Sequence, residues 1–254
     1  MSRLFTFGCS FTQYHRWPTW ADMIGRSFDQ FENWGICGTG NAAILYNLME
    51  CDQRNKITAD DTVMIMWTNT SREDRYVNNR WVEGGNVYWS AGSQYPKGWV
   101  EKFACERGYL IRDLAIISAV KKILESRQCQ WKFLSMVPLY NSNELNGLGS
   151  NPLDPNNNIH DVVTLYKDAL DVICPSVFDV VFHGDWASRS GILDPGIGRR
   201  DFHPTPMEHI EYIDQVMPDV VISDETRSWA KIITQDMIAG KSFTWREPNR
   251  PHRL

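Results

Sequence analysis

The chain contains no apolar run approaching the ~18 residues that a membrane-spanning helix needs. Its opening stretch, MSRLFTFGCS, lacks the long apolar centre of a secretion signal and already has the look of a core strand. There is no excess of positive charge: 26 Lys and Arg stand against 31 Asp and Glu, for a formal net charge of −5 and a pI near 5.7. That balance argues against a protein that grips nucleic acid through phosphate contacts. None of the six cysteines, at 9, 37, 51, 105, 129 and 174, forms a CxxC pair, so zinc-ribbon and dithiol redox motifs are not expected. The glycine-rich stretch GICGTGN (35–41) is too short for the dinucleotide signature, and no acidic residue is clearly placed about twenty positions on. His160, His183, Asp185 and His209 match no zinc-ligand spacing. The resulting expectation is a cytoplasmic protein with reduced, mostly buried thiols, no metal and no organic cofactor, which engages neither nucleic acid nor membrane.

What is present suits a globular chain. Of 254 residues 43% are hydrophobic and 22% charged, and eleven are tryptophan. Apolar runs alternate with helical patterns along the whole length. RLFTFG (3–8), FENWGI (31–36), DTVMIMW (61–67), WKFLSMVPL (131–139) and FDVVFH (178–183) have the character of strands. The third is apolar at nearly every position, as the centre of a parallel sheet buried on both faces would be. Helical spacing marks 19–28, 41–53, 109–128, 159–173, 205–217 and 224–240, the fifth entered through Pro206 and the last closed by Gly240. The pattern predicts a three-layer α/β/α fold with a flavodoxin-like parallel sheet of about five strands and helices on both faces. No linker divides the chain, so one domain over 1–254 is expected, with polar, irregular insertions near 68–99 and 140–158 and an irregular tail, 241–254. The first insertion is studded with aromatics, and a hairpin turning at Gly84 and Gly85 is expected within it.

Ligands of open α/β sheets bind beyond the carboxyl ends of the strands, so the residues there carry the functional expectation. The first strand runs into Gly8-Cys9-Ser10, the second into the glycine turn around Gly38, and the third into Thr68-Asn69-Thr70; Asp201 and His203 precede a late helix. A serine, backbone amides at a glycine turn, a side-chain amide and a histidine with a nearby carboxylate are the groups that acyl transfer requires. The serine hydroxyl needs a base, the carboxylate orients that base, and the amides receive the developing oxyanion.

These segments resemble the motif blocks of the SGNH/GDSL hydrolase superfamily. FGCS takes the place of its strand followed by Gly-Asp-Ser; NWGICG has its asparagine and, five residues on, its glycine; WTNT stands at the block ending in Gly-x-Asn-Asp; and DFHP matches its final Asp and His-Pro. The resemblance implies Ser10 as nucleophile, His203 as base and Asp201 as orienting carboxylate. It implies an oxyanion hole from the Ser10 and Gly38 N–H groups and the Asn69 side chain. The chain departs from the pattern at Cys9, where the family has aspartate, at Trp67 for glycine, at Thr70 for aspartate, and in placing Asp201 two residues before His203 rather than three. A backbone carbonyl or Asp194 is the alternative partner for His203. The activity implied is hydrolysis of carboxylic esters, short-acyl or O-acetyl esters of a polar or carbohydrate compound, because no greasy lid helix is seen. A non-catalytic glycan-binding module and an O-acyltransferase are the alternatives. Arg72, Trp67, Trp81 and Trp89 are expected to line the substrate site, Arg72 through the fit of guanidinium to an anionic group and the tryptophans through flat faces suited to sugar rings.

Overall fold

A computed structural model of the protein describes residues 2–81, 84–88, 95–140, 159–188, 192–193, 200–241, 245, 249 and 251. In chain order the elements are β1 (Arg3–Phe7), α1 (Trp20–Gly25), β2 (Gln30–Asn33), α2 (Asn41–Asn55), β3 (Asp61–Trp67), β4 (Tyr76–Val77), β5 (Arg80–Trp81), α3 (Lys97–Phe103) and α4 (Glu106–Arg127). There follow β6 (Gln130–Ser135), α5 (His160–Leu165), α6 (Lys167–Leu170), β7 (Ile173–Ser176), α7 (Val177–Val180), β8 (Ile192–Leu193), β9 (Arg200–Asp201), α8 (Pro206–Val216) and α9 (Asp224–Ile238). The central sheet has five parallel strands in the order β2-β1-β3-β6-β7. This is the three-layer α/β/α architecture expected from the alternation of strands and helices.

The apolar run of β3 occupies the middle of the sheet because both of its faces are covered. Val63, Ile65 and Trp67 join Phe5, Phe7 and Phe133 under α2, α4, α5 and α6. Met64 and Met66 join Leu4 and Leu134 on the other face, under α1, α7, α8 and α9. Two apolar layers back one sheet, and the parallel order puts the ends of β1, β2, β3 and β6 along a single edge. Among the described residues no helix is long and apolar enough to cross a membrane.

Several boundaries differ from the expectation. The fifth strand is Ile173–Ser176, and the first half of FDVVFH lies in the short helix α7, where Ser176 Oγ accepts from the Asp179 N–H. A short apolar run has no period to tell strand from helix, and Pro175 is admitted to a strand here because β7 is an edge. The predicted helix over 159–173 is two short ones, followed by that strand. The hairpin in the first insertion turns at Asn78 and Asn79, with φ of 52° and 60°, and not at Gly84–Gly85. Asparagine tolerates the left-handed region that a two-residue hairpin turn demands at both positions. His209, by its place an expected surface residue, lies on the inner side of α8 and is 1% exposed. Most of the second insertion, at 141–158, and most of the tail lie outside the described residues. At the described tail position 249 the Asn249 carbonyl accepts from the Asn33 N–H at 2.9 Å.

Candidate active site

Ser10 sits in a tight turn directly beyond β1. Gly8 makes that exit possible: its φ is +155°, and a Cβ there would lie 2.1 Å from Thr12 Oγ1 and 2.9 Å from the Met66 carbonyl oxygen. The Cys9 carbonyl accepts from the N–H groups of Thr12 and Gln13 at 2.9 and 3.0 Å. A single helical turn of this kind leaves its leading N–H groups, those of Ser10 and Phe11, unspent on the turn itself. The turn is clasped from β2, since Asn33 Nδ2 donates to the Thr12 carbonyl at 2.9 Å while Asn33 Oδ1 accepts from the Gly35 N–H at 3.1 Å. The segment after β2 continues alongside β1, with the Ile36 N–H donating to the Gly8 carbonyl at 2.9 Å.

His203 arrives from the other end of the chain. Its Nε2 lies 2.8 Å from Ser10 Oγ, and its Nδ1 lies 2.7 Å from Asp201 Oδ1. The same carboxylate oxygen accepts the His203 backbone N–H at 3.0 Å. That double acceptance is what the two-residue spacing permits, and it is Asp201 that meets the imidazole. The outer oxygen, Asp201 Oδ2, accepts from the Tyr14 hydroxyl and has Arg16 Nη1 at 3.9 Å. Burial pushes the Asp201 carboxyl up, but the N–H donors and charge of His203 and the Tyr14 hydroxyl outweigh it and hold the group at about 2. Tyr14 also stacks on the imidazole, ring centroids 4.0 Å apart and planes 15° from parallel. Ser10 is 6% exposed, so the hydroxyl lies in a recess.

Gly38, with φ of 75°, occupies the left-handed turn between β2 and α2. The first insertion is stapled across this turn. The Gly38 carbonyl accepts from the Gly85 N–H at 3.0 Å, and Arg72 Nη1 donates to the Thr39 carbonyl at 2.7 Å. Asp74 accepts from the Gly40 and Ala43 N–H groups at 2.7 and 2.9 Å. At the exit of β3, Asn69 Oδ1 accepts from the Ser71 N–H at 2.7 Å and from Asn86 Nδ2 at 3.5 Å, which leaves the amide end of the side chain to donate elsewhere. The neighbouring Thr68 is fixed by Asn41, whose Oδ1 accepts from the Thr68 N–H at 2.9 Å and whose Nδ2 donates to Asp113 Oδ2 at 2.7 Å.

Of the residues read from the sequence, Ser10, Asp201 and His203 are brought into one hydrogen-bonded line. Gly38 and Asn69 stand at the ends of the two strands that flank β1. Trp67 requires a correction: it is fully buried among the α2 and α4 side chains, edge-on to Phe133 at 5.3 Å, so it packs the core and faces no ligand. Arg72 is also reassigned. One end of its guanidinium is spent on the Thr39 carbonyl and the other lies 3.9 Å from the Met136 sulfur, so it builds the Gly38 turn. Glu73, next to it in the chain, faces Arg112 at 3.6 Å and Arg75 at 3.8 Å. Trp81 lies in the hairpin, stacked on Tyr46 at 5.1 Å with Tyr76 edge-on at 5.4 Å. Trp89 lies outside the described residues. Tyr14, which touches both Asp201 and His203, was not singled out by sequence; its only signal was an aromatic four residues after Ser10.

No family model and no curated protein matches the chain. Solved structures do. A member of the lipolytic protein G-D-S-L family from Veillonella parvula is 11% identical, with a TM-score of 0.45 over 84% of this chain and 97% of that one. A catalytic mutant of Axe2, an acetylxylan esterase from Geobacillus stearothermophilus, is 14% identical, with a TM-score of 0.46 over 87% of this chain and 94% of that one.

Proposed function

We propose that the protein is a serine hydrolase that cleaves carboxylic esters. The observation that carries this reading is the line from Ser10 Oγ through the two nitrogens of His203 to Asp201, at 2.8 and 2.7 Å. A serine hydroxyl is a weak nucleophile until a base within hydrogen-bond reach removes its proton, and an imidazole is that base only when its other nitrogen keeps the N–H. Asp201 fixes this tautomer by accepting from Nδ1. Ser10 Oγ adds to the ester carbonyl while His203 Nε2 takes the proton. The oxyanion is received by the N–H groups of Ser10 and Gly38 and by the Asn69 side-chain amide, each such donor being worth about 3–4 kcal/mol in a water-poor site. The imidazolium then returns the proton to the departing alcohol, leaving the acyl group on Ser10. Water, deprotonated by the same imidazole, releases the acid and restores the hydroxyl.

The recess around Ser10 favours a short acyl group such as acetyl. The half-exposed rings of Tyr46 and Tyr76 about Trp81 favour a polar ring-bearing alcohol, because sugars stack on aromatic faces. Purified protein should hydrolyse p-nitrophenyl acetate and react with a fluorophosphonate probe at Ser10. The Ser10→Ala variant should lose at least about a thousandfold in kcat. A parent protein that neither labels nor turns over would sink the reading. Transfer to a sugar in place of water would appear as an acylated acceptor among the products.

A further inference from the structure

We infer that Tyr14 is a positioning residue of this site, holding Asp201 by its hydroxyl and backing His203 with its ring. The inference rests on the hydrolase reading above and extends it to a side chain outside the expected set. With Asp201 only two residues ahead of His203, one carboxylate oxygen serves both the backbone N–H and Nδ1 of the same histidine. Nothing in that arrangement fixes the other oxygen, and a carboxylate free to rotate about its Cβ–Cγ bond would exchange the two. The Tyr14 hydroxyl holds the second oxygen, with Arg16 beyond it. Burial and the adjacent Asp201 push the Tyr14 phenol far up, so it keeps its proton and acts as a donor.

The ring has a separate effect. It lies parallel to the imidazole at 4.0 Å, with Phe11 tilted against the histidine at 5.3 Å. An aromatic face attracts a cation, so the imidazolium formed when Ser10 gives up its proton is favoured over the neutral ring. Tyr14 is itself held. Trp17 meets it edge-on at 4.6 Å, and Trp17 Nε1 donates to the Pro204 carbonyl at 2.8 Å. Residues 14–17 thus reach from the serine turn to the loop that carries Asp201 and His203, and they grip it at three points.

Tyr14→Phe separates the two effects, since it keeps the ring and the packing and removes only the hydroxyl; Tyr14→Leu removes both. The titration of the Asp201 carboxyl carbon, followed by NMR, is expected to move up from about 2 by a unit or more in Tyr14→Phe. The kcat on p-nitrophenyl acetate should fall about tenfold to a hundredfold with KM nearly unchanged, because the buried Tyr14 acts through Asp201 and His203. Tyr14→Leu, which also removes the stacked face, should lower kcat further than Tyr14→Phe. An Asp201 titration and a kcat in Tyr14→Phe equal to the parent's would overturn the inference while leaving the hydrolase reading intact. A parent that turns over no ester, with the Asp201 shift nonetheless present in Tyr14→Phe, would sink the hydrolase reading and support the hold of Tyr14 on the carboxylate.

Discussion

Gly8 has no room for a side chain. A methyl group there would collide with the Thr12 side chain and the Met66 carbonyl, one of them backbone that cannot swing aside. Gly8→Ala is therefore expected to cost about 2–3 kcal/mol in urea denaturation and to displace the Ser10 turn, lowering kcat more than stability alone accounts for. At this scale the sequence was a good guide to which residues come together: Ser10, at a strand end, and Asp201 and His203, just ahead of a late helix, lie in one hydrogen-bonded line. It was a poor guide where the role depends on which side of an element a residue faces. Trp67 looked like a ligand platform because a flat aromatic face suits a sugar ring, but in a strand buried on both faces the last side chain is core. Tyr14 was invisible because its partner Asp201 is 187 residues away.

Helix α2 illustrates the same contrast for elements. Its first residue, Asn41, has the chemistry of a cap, yet its side chain is turned to Thr68 and Asp113. The leading N–H groups are satisfied by Asp74, from the insertion after β3. The start of α2 was legible from its apolar spacing; its cap was not, because a cap supplied from a distant loop leaves no local pattern. Asp74→Ala should lower stability by about 1–2 kcal/mol by urea denaturation. It should also reduce kcat, since the staple that it removes crosses the Gly38 turn, whereas an ordinary helix cap would change stability only. The misplaced fifth strand has a comparable cause: FDVVFH is apolar enough for either state, and the Ser176 cap with the edge position of β7 decides it.

For the whole molecule, buried titratable groups set the response to acid. Burial, aided by the nearby charge of His203, pushes the His209 imidazole down from 6.5 to about 3. The unfolded chain then binds a proton that the folded one refuses, so stability is lost as pH falls from about 6.5 towards 3. Asp201, held at about 2 against an ordinary 3.8, adds a loss only at the acid end of that range. Asp113 acts in the opposite sense: burial pushes it up to about 6 despite Arg112 and Asn41, so it favours the folded state as pH falls between about 6 and 4. His209→Leu should flatten the decline between pH 6.5 and 3, as measured by thermal melts across that range; an unchanged slope would show that another group governs acid unfolding. The fold class was open to the sequence because alternation of strand and helix is a property of the whole chain. The acid response was not, because it depends on which histidine is turned inward.

The hydrogen bond between Ser10 and His203 spans 193 residues of chain. During synthesis at roughly 5–20 residues per second, the serine turn waits about 10–40 seconds for its histidine partner. β1, β2 and β3 are all complete by Trp67, so the sheet edge that carries Ser10 can assemble well before Asp201 and His203 exist. On the proposed hydrolase reading, a nascent polypeptide holds an inert hydroxyl, and competence for chemistry arrives in one late step, when the loop of Asp201 and His203 docks against residues 14–17.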